Sequence, residues 1–352
     1  MGSYGRRPNA NPARRDGITS RRARGGLHGD EVRKICPMDD NPLPPVFSAA
    51  VEEFTTWSYQ QLRTQQEATK ITEPLYHYTD AAGLCGIVKS QRIWFTSYLH
   101  LNDPSELIYG LDIVHRLLKA IGEAANDGLV KQFCDIVDDV CQHRKFKEIF
   151  GFYIASFSRD RNELGQWRAY ADNGRGFVLG LAPHLFEAVE MDNPEPTEYV
   201  VVPVEYDEEA AEQRYRLAIE AAAGIVANNR PQENVRIPFL RRMADELIAG
   251  QLIGTSLTVK HKAYRHEKEV RLVMLGRREK QKADFRTRIR GSEIVPYLEG
   301  KMPLRDRDGI TEIRIGPAAV SSAEDAVYSL LQSLDVEPSG RIKRSRIPYR
   351  AL

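Results

Sequence analysis

The chain is poor in the features that mark the commonest protein classes. It has four cysteines in 352 residues, Cys36, Cys85, Cys134 and Cys141, with no C-x-x-C pair or metal-ligand spacing among them. Neither a disulfide framework nor a structural zinc site is therefore expected. Reduced thiols in a reducing compartment are. No run approaches 18 consecutive apolar residues, so no helical membrane span is expected. Residues 1–26 lack the apolar core of a secretory signal, and the expected location is the cytoplasm. The G-x-G-x-x-G, P-loop, G-x-S-x-G and H-E-x-x-H motifs are all missing, which removes the usual nucleotide-fold and hydrolase readings. Excess charge is missing too: the formal net charge is +1, so no global field calls for nucleic acid, membrane or acidic partners.

What is present is the composition of a folded protein, 42% hydrophobic and 28% charged. One asymmetry hides in the balance. Arg6, Arg7, Arg14, Arg15, Arg21, Arg22 and Arg24 lie among Gly, Pro, Asn and Ser, opposed only by Asp16. Such a segment buries too little apolar surface to offset its ordering entropy. Residues 1–40 are accordingly expected to be a disordered Arg-rich tail, either simply solvated or an arm that contacts nucleic acid. Residues 46–352 are expected to form a single α+β domain.

Within that domain, apolar positions at helical spacing place a helix over residues 47–70, with Phe47, Val51, Phe54 and Trp57 on one face. Strands follow at Leu75–Tyr78 and Ile93–Thr96, joined by a helix that Asp80 caps. Asn102-Asp103-Pro104 reads as a turn opening the next helix, with Pro104 at its first position. Residues 149–158, 177–181, 199–206 and 268–275 read as strands, as do segments near 293–297 and 311–315. Helices fall near 128–147, 164–171, 208–226, 236–254 and 322–334. Strands and helices do not alternate regularly, which favours α+β over a doubly wound parallel sheet.

Three motifs carry possible chemistry. On the strand Leu75-Tyr76-His77-Tyr78-Thr79, His77 points away from Tyr76 and Tyr78. Beside Thr79 it offers paired hydrogen-bonding groups for a polyol, or it is a core histidine satisfied by a backbone carbonyl. Trp167 and Tyr170, three apart on a helix after Ser156-Phe157-Ser158, share a face. They form either a stacking wall for a flat ring or a stripe packed on the sheet. In Tyr264-Arg265-His266-Glu267-Lys268-Glu269-Val270-Arg271, the side chains of Glu267, Glu269 and Arg271 are expected on one strand face. They read as an ion-pair ladder or as carboxylates that stabilise a developing positive charge. Asn102 to Glu106 is explained by capping alone.

Taken together, LYHYT, IWFTS, LNDPSE, ASFS, QWRAYADNGRGFVLGL, YRHEKEVRLV, EIRIGP and SRIPYR resemble, in order, the bacterial family catalogued as domain of unknown function 2971. The likeness covers about residues 74–350. A strand-borne His, a central aromatic wall and a late strand with Glu-x-Glu resemble, more distantly, the ADP-ribosyltransferase superfamily. That resemblance implies a split sheet or two packed sheets of mixed and antiparallel strands surrounded by helices, with NAD as substrate. It implies that His77 contacts the adenosine-side ribose, that Tyr170 or Trp167 packs on nicotinamide, and that Glu269 stabilises the oxocarbenium-like transition state. It further implies that Glu267 orients the acceptor, with Tyr78, Thr79, Ser158 and Arg271 lining the NAD site and no metal required. Ser156-Phe157-Ser158 departs from the superfamily's usual middle-strand signature.

The leading expectation is thus an NAD-dependent transferase that modifies a protein or nucleic acid, as a toxin or anti-phage effector. Two alternatives stay open. One is a non-catalytic ligand- or nucleic-acid-binding module that uses Trp167, Arg175 and the tail. The other is a metal-dependent hydrolase or nuclease that uses Asp103, Glu106, Glu267 and Glu269.

Overall fold

A computed structural model describes residues 45–101, 105–142, 150–186, 199–277, 286–304 and 308–351. The Arg-rich tail, Cys36, the Asn102-Asp103-Pro104 turn and the end of the helix expected to 147 lie outside the described residues.

The helix α1, Pro45–Ala68, buries Phe47, Val51 and Phe54 as its spacing requires, and Phe47 meets Phe239 edge-on at 6.0 Å. The strand β1, Leu75–Thr79, leads into α2, Ala81–Ser90, whose N-cap Asp80 accepts from Gly83 N at 2.7 Å. After β2, Arg92–Ser97, come α3, Ser105–Ala124, and α4, Gly128–Gln142. Next are β3, Phe150–Ser158, the short helix α5, Leu164–Tyr170, β4, Phe177–Leu181, and β5, Tyr199–Pro203. The helices α6, Glu208–Asn228, α7, Arg236–Met243, and α8, Ala249–Ser256, are followed by a 3-10 segment, Lys262–Glu267. A π segment, Ala244–Ile248, joins α7 to α8. The remaining elements are β6, Glu269–Arg277, β7, Arg286–Arg290, β8, Glu293–Lys301, β9, Ile310–Ile315, α9, Ala323–Gln332, and β10, Ile342–Arg344.

The strands form one mixed sheet, in the order β10-β9-β4-β1-β3-β2-β8-β7, with β6 on the other edge of β3 and β5 beyond it. Neighbours are antiparallel except β9 and β10. β3 is the hub. Its one edge pairs with β6 from Phe150 to Ser158. Its other edge is divided: β1 reaches it only at Ser158, β2 only at Tyr153 and Ile154. Between these points β1 turns toward β4 and β2 toward β8. The sheet is therefore split beside residues 155–157.

Cross-strand partners share a face, so the register sorts the side chains. One face carries His77, Leu179 and Ile313 across β1, β4 and β9, and Phe157 with Val270. It packs on Leu84 and Ile87 of α2 and Val327 and Leu331 of α9 to make the main core. The other face carries Tyr76, Ser158 and Glu269 in one row and Ser156 with Arg271 in the next. Helices α3, α4, α6, α7 and α8 pack on one another, and that second face meets them at Arg271, which donates to Leu257 O after α8. Over β1 and β4 the same face is closed by a smaller cluster of Tyr78, Val178, Trp167 and Ala171.

The glycine turn Asn173-Gly174-Arg175-Gly176 has a structural cause. A Cβ on Gly176 would lie 2.4 Å from Thr79 O, and one on Gly316 2.2 Å from Gly174 O. Gly316 N donates to Gly176 O at 2.9 Å and Ala318 N to Gly174 O at 2.9 Å. The GRG and IGP motifs thus lock two backbone segments at a distance only glycine allows.

Candidate functional site

The Glu-x-Glu motif does not lie along one strand. Glu267 ends the 3-10 segment, and Lys268 takes a left-handed conformation, φ 46° and ψ 45°. β6 begins only at Glu269. The left-handed residue, uncommon for a side chain with a Cβ, brings both carboxylates to one cation. Lys260 Nζ lies 2.7 Å from Glu267 Oε2, 2.6 Å from Glu269 Oε2 and 2.9 Å from Glu106 Oε1. Arg271 closes the ring: its Nε donates to Glu269 Oε1 at 2.7 Å and its Nη2 to Glu106 Oε2 at 2.6 Å. All five side chains are buried.

Three carboxylates thus meet two cations away from water. Burial alone would raise the Glu269 carboxyl, but the Arg271 guanidinium and the Lys260 ammonium hold it at about 2. Burial raises Glu267 above the ordinary carboxylate range, against the pull of Lys260. Lys260 loses solvation, yet Glu269 and Glu106 hold its pKa above the ordinary lysine value. Tyr170 donates weakly to Glu267 Oε1, at 3.4 Å, and Tyr206 OH accepts from Glu269 N at 3.0 Å.

Other expected site residues are occupied in holding the fold. Trp167 is fully buried, meets Tyr78 edge-on at 5.2 Å and donates Nε1 to Asn162 Oδ1 at 3.0 Å. It has no free ring face, so the stacking wall expected of Trp167 is corrected to a core contact. Tyr78 donates to Asp160 O and accepts from Glu163 N, both at 2.8 Å. Ser158 Oγ donates to Glu267 O at 2.7 Å and accepts from Asp160 N at 2.9 Å, which fixes the turn before β6. Thr79 is buried, and Tyr170 only partly so.

His77 stands apart. Its Nδ1 is 2.9 Å from Ser156 O, so a neutral ring that donates there replaces a strand partner missing at the split. Burial pushes its pKa below the ordinary histidine value, despite that bond. The sheet register puts His77 and Glu269 on opposite faces, two strand spacings or about 10 Å apart at the backbone. The two therefore do not meet directly. The split lies between them, and Ser156 in its floor remains partly exposed although β3 is the central strand. Lys260 and Glu106 complete the cluster but carry no motif of their own; sequence reasoning misses the first and takes the second for a cap or, in the hydrolase alternative, for a partner of Glu267 and Glu269.

The hydrolase alternative loses its centre, because the Lys260 ammonium occupies the place a metal would take among Glu106, Glu267 and Glu269. Asp103 lies outside the described residues. Among them no helix is long and apolar enough to cross a membrane.

Residues 166–272 match the family described as protein of unknown function, DUF2971. The matched stretch takes in α5 from Gln166 onward, Lys260 and the Glu267 to Arg271 segment, and leaves His77 outside. No curated protein and no solved structure matches the chain.

Proposed function

We propose that the protein is an ADP-ribosyltransferase-like enzyme that uses NAD to modify a macromolecule. The observation that carries this reading is Glu269, a carboxylate held ionised at the start of β6, across β3 from the split of the sheet. Cleaving a glycosidic bond to an activated, neutral leaving group needs positioning and a fixed negative charge more than it needs an acid. Arg271 and Lys260 fix both oxygens of Glu269 in one geometry, so little reorganisation is left for the moment of reaction. His77, in the split, would take a ribose hydroxyl through Nε2. Tyr170, half-buried and bonded to Glu267, would border the nicotinamide in place of Trp167. Glu267, with its raised pKa, would receive or orient the acceptor proton.

One observation favours a second reading, a ligand-binding module without turnover: both Glu269 oxygens are already committed to cations. The two separate in one experiment. Wild type, Glu269→Gln and Glu267→Gln are incubated with labelled NAD and cell lysate, their folding checked by circular dichroism. The transferase reading expects Glu269→Gln to lose about 10²–10³-fold in labelling. Glu267→Gln should lose acceptor labelling while still releasing nicotinamide. Equal labelling by wild type and Glu269→Gln, or none by any folded form, overturns it.

A further inference from the structure

The arm β2-β8-β7 carries alternate arginines Arg286, Arg288 and Arg290 along one face of its edge strand. Two have acidic neighbours: Arg286 Nε is 3.4 Å from Glu299, and Arg290 Nη2 is 2.9 Å from Glu293. Arg288 makes no ion pair among the described residues. Its hydrogen bond runs from Nη2 to Thr96 Oγ1, at 2.9 Å. Its guanidinium lies over the Trp94 ring, 5.2 Å from the centroid, and 5.9 Å from that of Tyr297. Those rings lie 5.1 Å apart. Trp94 Nε1 is buried and has no acceptor among the described residues.

This is a cation held in place, and no carboxylate among the described residues compensates it. Burial and the charge of Arg290 both press its pKa down, the sign of a guanidinium short of negative neighbours. Asp80 is felt by both Arg288 and His77, but its carboxylate is bonded to Gly83 N and reaches neither within ion-pair distance. Arg288 in turn is near enough to His77 to depress the imidazole. The site therefore offers N–H donors from a planar fork and aromatic walls that hold the fork, beside the split.

We propose that Arg288, oriented by Thr96 and by the rings of Trp94 and Tyr297, binds a phosphate-type oxyanion beside the split of the sheet. A planar guanidinium matches the oxygens of a phosphoryl group two at a time, which a lysine in its place would not. A diphosphate supplies the charge the site lacks. The inference extends the proposed transferase but does not rest on it, because binding is measured here without turnover.

The test is calorimetric titration of the full chain with inorganic pyrophosphate and with ADP at low salt. Wild type should bind both or one. Arg288→Gln should lose at least about tenfold in affinity, while Arg290→Gln stays within about twofold. The melting temperature of Arg288→Gln should hold or rise, since a half-buried charge with no ion-pair partner among the described residues is removed. Tighter binding of ADP than of pyrophosphate assigns the anion to a nucleotide, and equal binding assigns it to the free anion. Equal losses in both variants would mean only a diffuse positive field and would overturn the proposal, as would no binding of either ligand by wild type.

Discussion

Lys260 is the residue on which the candidate site depends, since three buried carboxylates share its ammonium. Replacing it with methionine keeps the volume of the stem but leaves Glu106 and Glu269 with Arg271 alone and Glu267 with no cation among the described residues. Removing one partner from a buried ion cluster costs about 3–5 kcal/mol, and Lys260→Met is expected to lose stability of that order in urea denaturation. Glu267→Gln should cost far less, because burial already presses Glu267 toward its neutral form and an amide conserves its shape. A similar loss for the two variants would show that Glu267 is fully ionised and as strongly coupled as its neighbours.

At the scale of elements, backbone approach decides where glycine is required. Gly176→Ala would press a methyl group to 2.4 Å from Thr79 O, where β1 meets the turn before β4. The strand must shift, at about 1–3 kcal/mol. A Cβ added at Gly224, in α6, would meet no atom within 4 Å, and alanine there should gain about 0.5–1 kcal/mol from helix propensity. Thermal melts of the two variants should therefore move in opposite directions. These elements also show what periodicity reveals. α1, α6, β1 and β4 are where their apolar spacing puts them, because each buries a face of its own. β7 escapes the same reasoning, since Arg286 to Arg290 alternates charge with Thr287 and an exposed Ile289 and has no buried stripe to announce it. Alternation through Lys268 extends the expected strand back to Glu267; only the backbone shows the left-handed turn there. Lys260 and Glu106 are far from Glu269 in sequence or lie beside a turn, so no spacing rule could join them.

At the scale of the whole molecule, the ion cluster ties separate layers together. Glu106 belongs to α3, Lys260 follows α8, and Glu269 and Arg271 begin β6, so the cluster pins the helical layer to the sheet. Its two perturbed carboxyls act on stability in opposite senses. Glu269 is held at about 2 against an ordinary value of 4.5; the unfolded chain binds more protons between those values, so its contribution is full above pH 4.5 and is lost as pH falls toward 2. Glu267 has a folded value above 4.5; there the folded chain binds more protons, so stability declines as pH rises from 4.5 through that folded value. Wild-type stability from this cluster should thus pass through a maximum on the acidic side of neutrality. Glu267→Gln should abolish the decline on the neutral side and leave the acid loss in place. Urea midpoints measured from strongly acidic to neutral pH would settle it. A profile that Glu267→Gln leaves unchanged would mean that Glu267 does not hold a proton in the folded protein, and the acceptor role proposed for it would lose its physical basis.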